Sequence, residues 1–237
     1  MKHLFSLLFI VLFATAARAQ KTVYDANAEP RTVSSFHAIQ ISNSFDVVIT
    51  QGNEESLAVS AENKDDLSRI ETKVENGVLK IRYDEPKKWW RGNKKLKAYI
   101  AVKNLDELRA SGACGIKVEG SLHTASLKLN LSGASDLKGE LNIDGELNAD
   151  LSGASDMDVT GSAQDVVIDA SGASDVKAYN FTTSTCKVDA SGASGVRITV
   201  DKELSAKLSG ASNVSYKGAA MIRDIKTSGA SSISKKS

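Results

Sequence analysis

The chain of 237 residues is poor in the side chains that fill a large globular core: aromatics make up 5%, with 2 Trp, and Met numbers 3. A thick aromatic core is excluded, so apolar burial must be spread thinly along the chain. Pro numbers only 2, which leaves little to interrupt strands. Cys114 and Cys186 are the 2 cysteines, too few for a disulfide framework. Lys plus Arg is 30 against Asp plus Glu 29, and a net charge of +1 gives no global field for nucleic acid or an anionic membrane. Of the 3 His, only His37 and His123 lie beyond the first twenty residues, which excludes a zinc set, and no cofactor is implied. Long apolar runs are also lacking. The run Leu4 to Phe13 is about ten residues, short of the roughly 20 that a membrane helix needs.

That run follows Lys2 and His3 and precedes Ala17-Arg18-Ala19, the layout of a cleaved signal peptide over 1–19. The mature chain is expected to begin near Gln20 and to be exported to the periplasm, the cell surface or the medium. No Cys follows the cleavage site, so no lipid anchor is expected.

What the chain does have is Gly, 17 residues of it, and a repeat. Ser-Gly-Ala begins at Ser111, Ser132, Ser152, Ser171, Ser191, Ser209 and Ser228, in steps of 21, 20, 19, 20, 18 and 19 residues. Six of the seven copies continue with a further Ser; the first carries Cys114 there. Counting back from the first Ser, positions five, three and one before it are apolar in copy after copy: Leu127, Leu129 and Leu131, then Leu147, Ala149 and Leu151, then Val166, Ile168 and Ala170. Polar residues alternate with them, and period two means a strand with one face buried. A second apolar pair follows five of the seven turns, as at Met157 and Val159 or Val196 and Ile198. A unit of about 20 residues cannot bury its apolar face alone, so the units must stack. The expectation is a right-handed parallel β-helix of about seven to eight rungs. Its turns are set by Gly112, Gly133, Gly153, Gly172, Gly192, Gly210 and Gly229, where Gly takes positive φ without a Cβ clash. Ala134, Ala154, Ala173, Ala193 and Ala211 are expected to face inward at these corners. Cys114 and Cys186 are then about four rungs, or 19 Å, apart, beyond disulfide reach.

Upstream, Ile39 and Ile41, then Ser42-Asn43-Ser44-Phe45-Asp46, then Val47 and Ile49 fit the same template as a diverged first rung. Asn76-Gly77, between Val74 and Val78-Leu79-Lys80-Ile81, signals a hairpin. The organisation expected is a linker over 20–35, an N-terminal β portion over 36–104 that caps the prism, and the repeat helix over 105–237. Together, 36–237 form one continuous domain.

Two features are candidate sites. Asp136, Asp156 and Asp175 align in consecutive rungs, as do Asp150, Asp169 and Asp189, giving two acidic columns. Such columns could hold a cation weakly, since like charges roughly 5 Å apart repel. The plainer reading is turn-capping and solvated Asp. The Gly-Gly-x-Gly-x-Asp signature of calcium-binding β-rolls is absent, and later rungs put Gly195, Asn213, Lys207 and Lys226 in these places. The second candidate is the basic loop Lys87-Lys88-Trp89-Trp90-Arg91 with Lys94 and Lys95, holding both Trp residues. Trp amid cations stacks on sugars or anchors partners; alternatively one Trp closes the end of the prism.

Taken together, Ile41-Ser42-Asn43-Ser44-Phe45-Asp46-Val47, Gln51-Gly52 and Asn76-Gly77-Val78-Leu79-Lys80-Ile81, followed by Ser-Gly-Ala-Ser-Asp repeats, resemble the head GIN domain family of "putative autotransporter adhesins". The resemblance implies an exported bacterial β-helix whose suggested role is adhesion. Nine residues follow Ser228, so a translocator barrel is not expected. The reading is an exported, non-catalytic envelope or surface module with no catalytic residues, whose partner is a glycan or protein of the envelope and not nucleic acid. The alternatives are a carbohydrate-active enzyme, which needs acids converging on a groove, and an envelope scaffold stacked end to end.

Overall fold

A computed structural model describes residues 25–84 and 95–237. The alternating segments form β1 (Glu29–Arg31), β2 (Ala38–Ile41), β3 (Phe45–Gln51), β4 (Ser56–Ser60), β5 (Ile70–Glu75), β6 (Val78–Tyr83), β7 (Leu96–Val102), β8 (Glu107–Ala110), β9 (Gly115–Thr124) and β10 (Leu127–Leu131). The long strands β11 (Asp136–Leu151), β12 (Asp156–Ala170), β13 (Asp175–Ala190) and β14 (Gly195–Leu208) follow, then β15 (Asn213–Lys217), β16 (Met221–Thr227) and β17 (Ser232–Lys235). A short helix, α1 (Lys64–Ser68), starts at Asn63, whose side chain accepts from the Asp66 N–H at 2.8 Å.

From β8 to β17 the ladder is parallel and each strand lies on the one a repeat earlier. Leu129, Ala149, Ile168, Val188 and Ala206 are direct partners in successive strands, and all are buried. The long strands wrap around the coil. Register breaks between Ile143 and Glu146 and between Asp158 and Gly161 mark the bends. The result is a β-solenoid of about 6 turns. That is fewer than the seven to eight rungs expected, because seven triplets bound six intervals, and the Ser42–Ser44 turn stacks on the first triplet without being one coil away from it along the chain.

The triplets form a ladder of their own. The Ala N–H of each donates to the Gly carbonyl one rung back: Ala134 to Gly112, Ala154 to Gly133, Ala173 to Gly153 and Ala193 to Gly172, each at 2.7 Å. Gly172 sits at φ +75, and a Cβ on it would lie 2.4 Å from the Gly153 oxygen. Glycine is thus required twice, by its dihedral and by the approach of the next rung. The inward residue of the turn is not the expected one. Ala134, Ala154, Ala173, Ala193 and Ala211 are exposed, whereas Ser135, Ser155, Ser174, Ser194 and Ser212 are buried. Each of these hydroxyls donates to the carbonyl of the Ser three residues earlier, at 2.8 to 3.0 Å, so burial leaves it satisfied. Cys114 holds the same place in the first copy, its Sγ 3.5 Å from the Ser111 oxygen.

The N-terminal region is stacked out of chain order. β2 and β3 lie on β8 and β9 in the register read from the sequence, Ile39 opposite Leu108 and Val47 opposite Ile116. β6 and β7 then lie outside β2 and β3, forming a further layer built from later sequence. β5 closes on β6 through the Asn76-Gly77 turn, both residues at positive φ, and β4 runs antiparallel on β7. Within the span expected as a linker, β1 pairs with β4.

Candidate functional site

The outward residues of a stacked solenoid form columns, and the expected acidic columns are in register. Asp136, Asp156 and Asp175 are direct cross-strand partners, and the column continues through Gly195, Asn213 and Ser232. On the other side it reaches Gly115 and Asp46. Two residues further along each strand, on the same face, runs a second column of Lys117, Lys138, Asp158, Lys177 and Arg197. Its cations meet the acids. Lys177 Nζ is 3.1 Å from Asp156 and 3.7 Å from Asp175, and Arg197 Nη1 lies 2.9 and 2.8 Å from the two Asp175 oxygens. The hydrogen bond to Asp156 holds the Lys177 ammonium above its ordinary range, and that to Asp175 does the same for Arg197. Lys177 and Arg197 of the neighbouring column, which the sequence reading missed, therefore offset the charges of Asp156 and Asp175. Its cations were legible two positions after Asp136 and Asp175, whereas Asp158 stands two after Asp156.

Asp150, Asp169 and Asp189 also stand in one column, between Asn130 on one side and Lys207 and Lys226 on the other. Lys207 Nζ lies 3.4 Å from Asp189. Among the described residues no group of three or more His, Cys, Asp or Glu is placed to hold a metal ion.

Of the basic loop, Lys87, Lys88, Trp89, Trp90, Arg91 and Lys94 lie outside the described residues. Its anchors are placed: β6 ends at Tyr83 and β7 begins at Leu96, and these strands pair with β2 and β3 on either side of the Ser42–Ser44 turn. The two strand ends that flank residues 85–94 therefore lie in the outermost layer, on the edge where the triplet turns stack. Lys95 is bound to Glu62 at 2.8 Å.

The thiols are committed to structure. Burial pushes the Cys186 thiol up to about 12, and it also raises that of Cys114, so neither is a thiolate near neutral pH. His37 Nδ1 lies 2.9 Å from Asp106 just before β8, and the His123 ring Nε2 lies 3.3 Å from Ser121 Oγ while its backbone N–H donates to Gln51 Oε1 at 2.7 Å. The last rung was not singled out from the sequence: Met221 is 62% exposed and Ile222 46%. Ile222 continues the inward column of Leu204, and no further rung lies over it among the described residues.

Stacked parallel rungs, Gly turns and continuous outward columns define a repeat β-solenoid of the kind that presents an extended surface. The family model for "putative auto-transporter adhesin, head GIN domain" matches residues 35–220, and the chain belongs to that family. Among solved structures, one described as a putative adhesin from Bacteroides fragilis is similar at TM-score 0.82, with 21% identity over 88% of this chain and 96% of that one. A putative adhesin from Parabacteroides distasonis matches at TM-score 0.68, 16% identity, 88% and 96% coverage. A structure from the same species described as a putative lipid binding protein matches at 0.63, 19% identity, 90% and 98% coverage. These likenesses are of fold. Among curated proteins none matches.

Proposed function

We propose that this chain is an exported, non-catalytic interaction module of the bacterial envelope, acting as an adhesin. The observation that carries the reading is the pair of outward columns, acidic and basic side chains repeated at the strand spacing of roughly 4.8 Å on a ladder whose turns are locked Gly over Gly. Such a face is preorganised, so little ordering entropy opposes the binding of an extended partner. Family membership and the adhesin descriptions of the similar structures point the same way. Both thiols are buried, so neither serves as a nucleophile for a carbohydrate-active enzyme.

Within this reading the contact residues are Trp89 and Trp90 with Lys87, Lys88, Arg91, Lys94 and Lys95, on a loop anchored at the turn edge of the outermost layer. Replacing both Trp residues with Ala is expected to reduce binding of the mature chain to envelope material while leaving its melting temperature nearly unchanged. A loss of roughly 3 to 5 kcal/mol in stability with binding intact would make the loop a structural plug instead. Protease shaving of intact cells and a glycan array on the mature chain test export and partner class; protection from the protease with no glycan or envelope protein bound would sink the reading.

A further inference from the structure

The two outermost edges of the sheet differ in how they meet solvent. On the N-terminal side the free edges are β1, three residues long and containing Pro30, and β5, which alternates Glu71, Lys73 and Glu75. Short length and Pro block strand addition at β1, and self-pairing of β5 about Lys73 would set Lys73 against Lys73 and Glu71 against Glu75. On the C-terminal side, among the described residues, β16 pairs only with β14 and β17 only with β15. Their outer edges carry Ile222, Ile225 and Ile233, which continue the inward columns of Leu204, Ala206 and Val214. The family match ends at residue 220, so this last rung lies beyond it.

We propose that the C-terminal rung is a self-association surface, on which a second copy of this chain docks tail to tail through antiparallel pairing of β16 with β16. The charge pattern selects that occupant. Beyond the register break at Arg223, Asp224 and Lys226 point outward on either side of inward Ile225, and their side chains share one face, 3.3 Å apart. Antiparallel pairing about Ile225 sets Asp224 of each copy opposite Lys226 of the other, twice, and keeps Ile225 against Ile225 on the inner side. This is an isologous contact with complementary charge. It preserves inward and outward faces, as a one-residue slip would not. The contact is isologous and uses up the C-terminal edge of each copy, so association stops at two.

Sedimentation equilibrium of the mature chain, from micromolar to hundreds of micromolar, tests this. The expected result is a monomer–dimer equilibrium. Asp224→Lys, which faces Lys226 with a like charge, weakens it at least about tenfold. Lys226→Asp does the same, and the double exchange D224K/K226D restores it. Both positions are exposed, and a melting curve on each variant confirms folding. A monomer throughout, an open-ended polymer, or a dimer indifferent to the single changes or not recovered by the double exchange would overturn the proposal.

Discussion

At the N-terminal end the solenoid is finished by residues that occur once, while at the C-terminal end the repeat stops with its inner positions showing. The outer layer of β6 and β7 is covered by β5, β4 and β1, and fixed by single side-chain contacts: Tyr83 donates to Asp66, and the Tyr99 hydroxyl donates to Asp25 at 2.8 Å. In β16 and β17 the last rung instead turns polar where the column was apolar. Thr227 follows Leu208, and Lys235 follows Tyr216, its Nζ 6.0 Å from that ring. Repetition sets the middle of such a protein, and its ends need exceptions to the repeat. Those exceptions decide which end is closed and which remains available.

The largest expected effect separates middle from end. Ile168→Asp puts an unpaired carboxylate into a position with 0% exposure and is expected to cost at least about 4 kcal/mol, abolishing the cooperative melt. Ile222→Asp, on the half-open last rung, should cost under about 1 kcal/mol in the monomer. Equal losses at the two positions would show that the ends are as tightly packed as the core.

Next come the glycines. Gly172→Ala combines φ +75 with a Cβ 2.4 Å from a carbonyl oxygen above and below which further rungs stack, and about 2 to 3 kcal/mol is expected by chemical denaturation. Gly229→Ala has nearly the same φ, +73, but its 2.7 Å contact is in the last rung, which can yield, so about 1 kcal/mol is expected.

The closed end should be acid-sensitive. Burial raises the Asp25 carboxyl, but hydrogen bonds from Tyr99, the Asn27 backbone N–H and Ser60, with the charge of Lys97, outweigh it and hold the group below its ordinary range. A lowered carboxyl contributes stability above its unfolded pKa of about 3.9, and that contribution is lost as pH falls through the lower folded value. Tyr99→Phe should cost about 1 kcal/mol at neutral pH and flatten the decline of stability below about pH 4. An unchanged acid limb would place the clip elsewhere.

The smallest effect concerns the turn hydroxyls. Ser174→Ala removes a 2.8 Å bond to the Ser171 carbonyl and should cost about 1 kcal/mol. Ser174→Cys should cost less, because Cys114 already fills the corresponding position in the first copy of the array.

Much of this was legible because period two and period twenty are both properties of the sequence. The inward sets around Leu129, Ile168 and Val188, the Asn76-Gly77 hairpin and the alignment of Ser42 with the triplets follow from them. The stacking order was not, since β6 and β7 lie outside β2 and β3 although they come later, and nothing local records which strand a later one will flank. The turn misled for a different reason. Ala recurs there in seven copies and Ser in six, too alike to separate them, and only the direction of the backbone after the positive-φ Gly decides that Ser is buried and Ala exposed. Of the site, the acidic columns were visible as spacing, but the role of Lys177 and Arg197 needed the register that places them beside Asp156 and Asp175.

Residue-resolved hydrogen exchange on the monomeric Asp224→Lys variant measures the two ends and the ladder together. The amides of Ala154, Ala173 and Ala193, each bonded to the Gly one rung back, should exchange slowest. The strands of the closed end, β2, β3, β6 and β7, should follow, and β16 and β17 should exchange fastest. Protection that is greatest in β16 and β17, or that is lost first in the triplet amides, would contradict a solenoid locked by its glycine turns, closed at its N-terminal end and open at its C-terminal one.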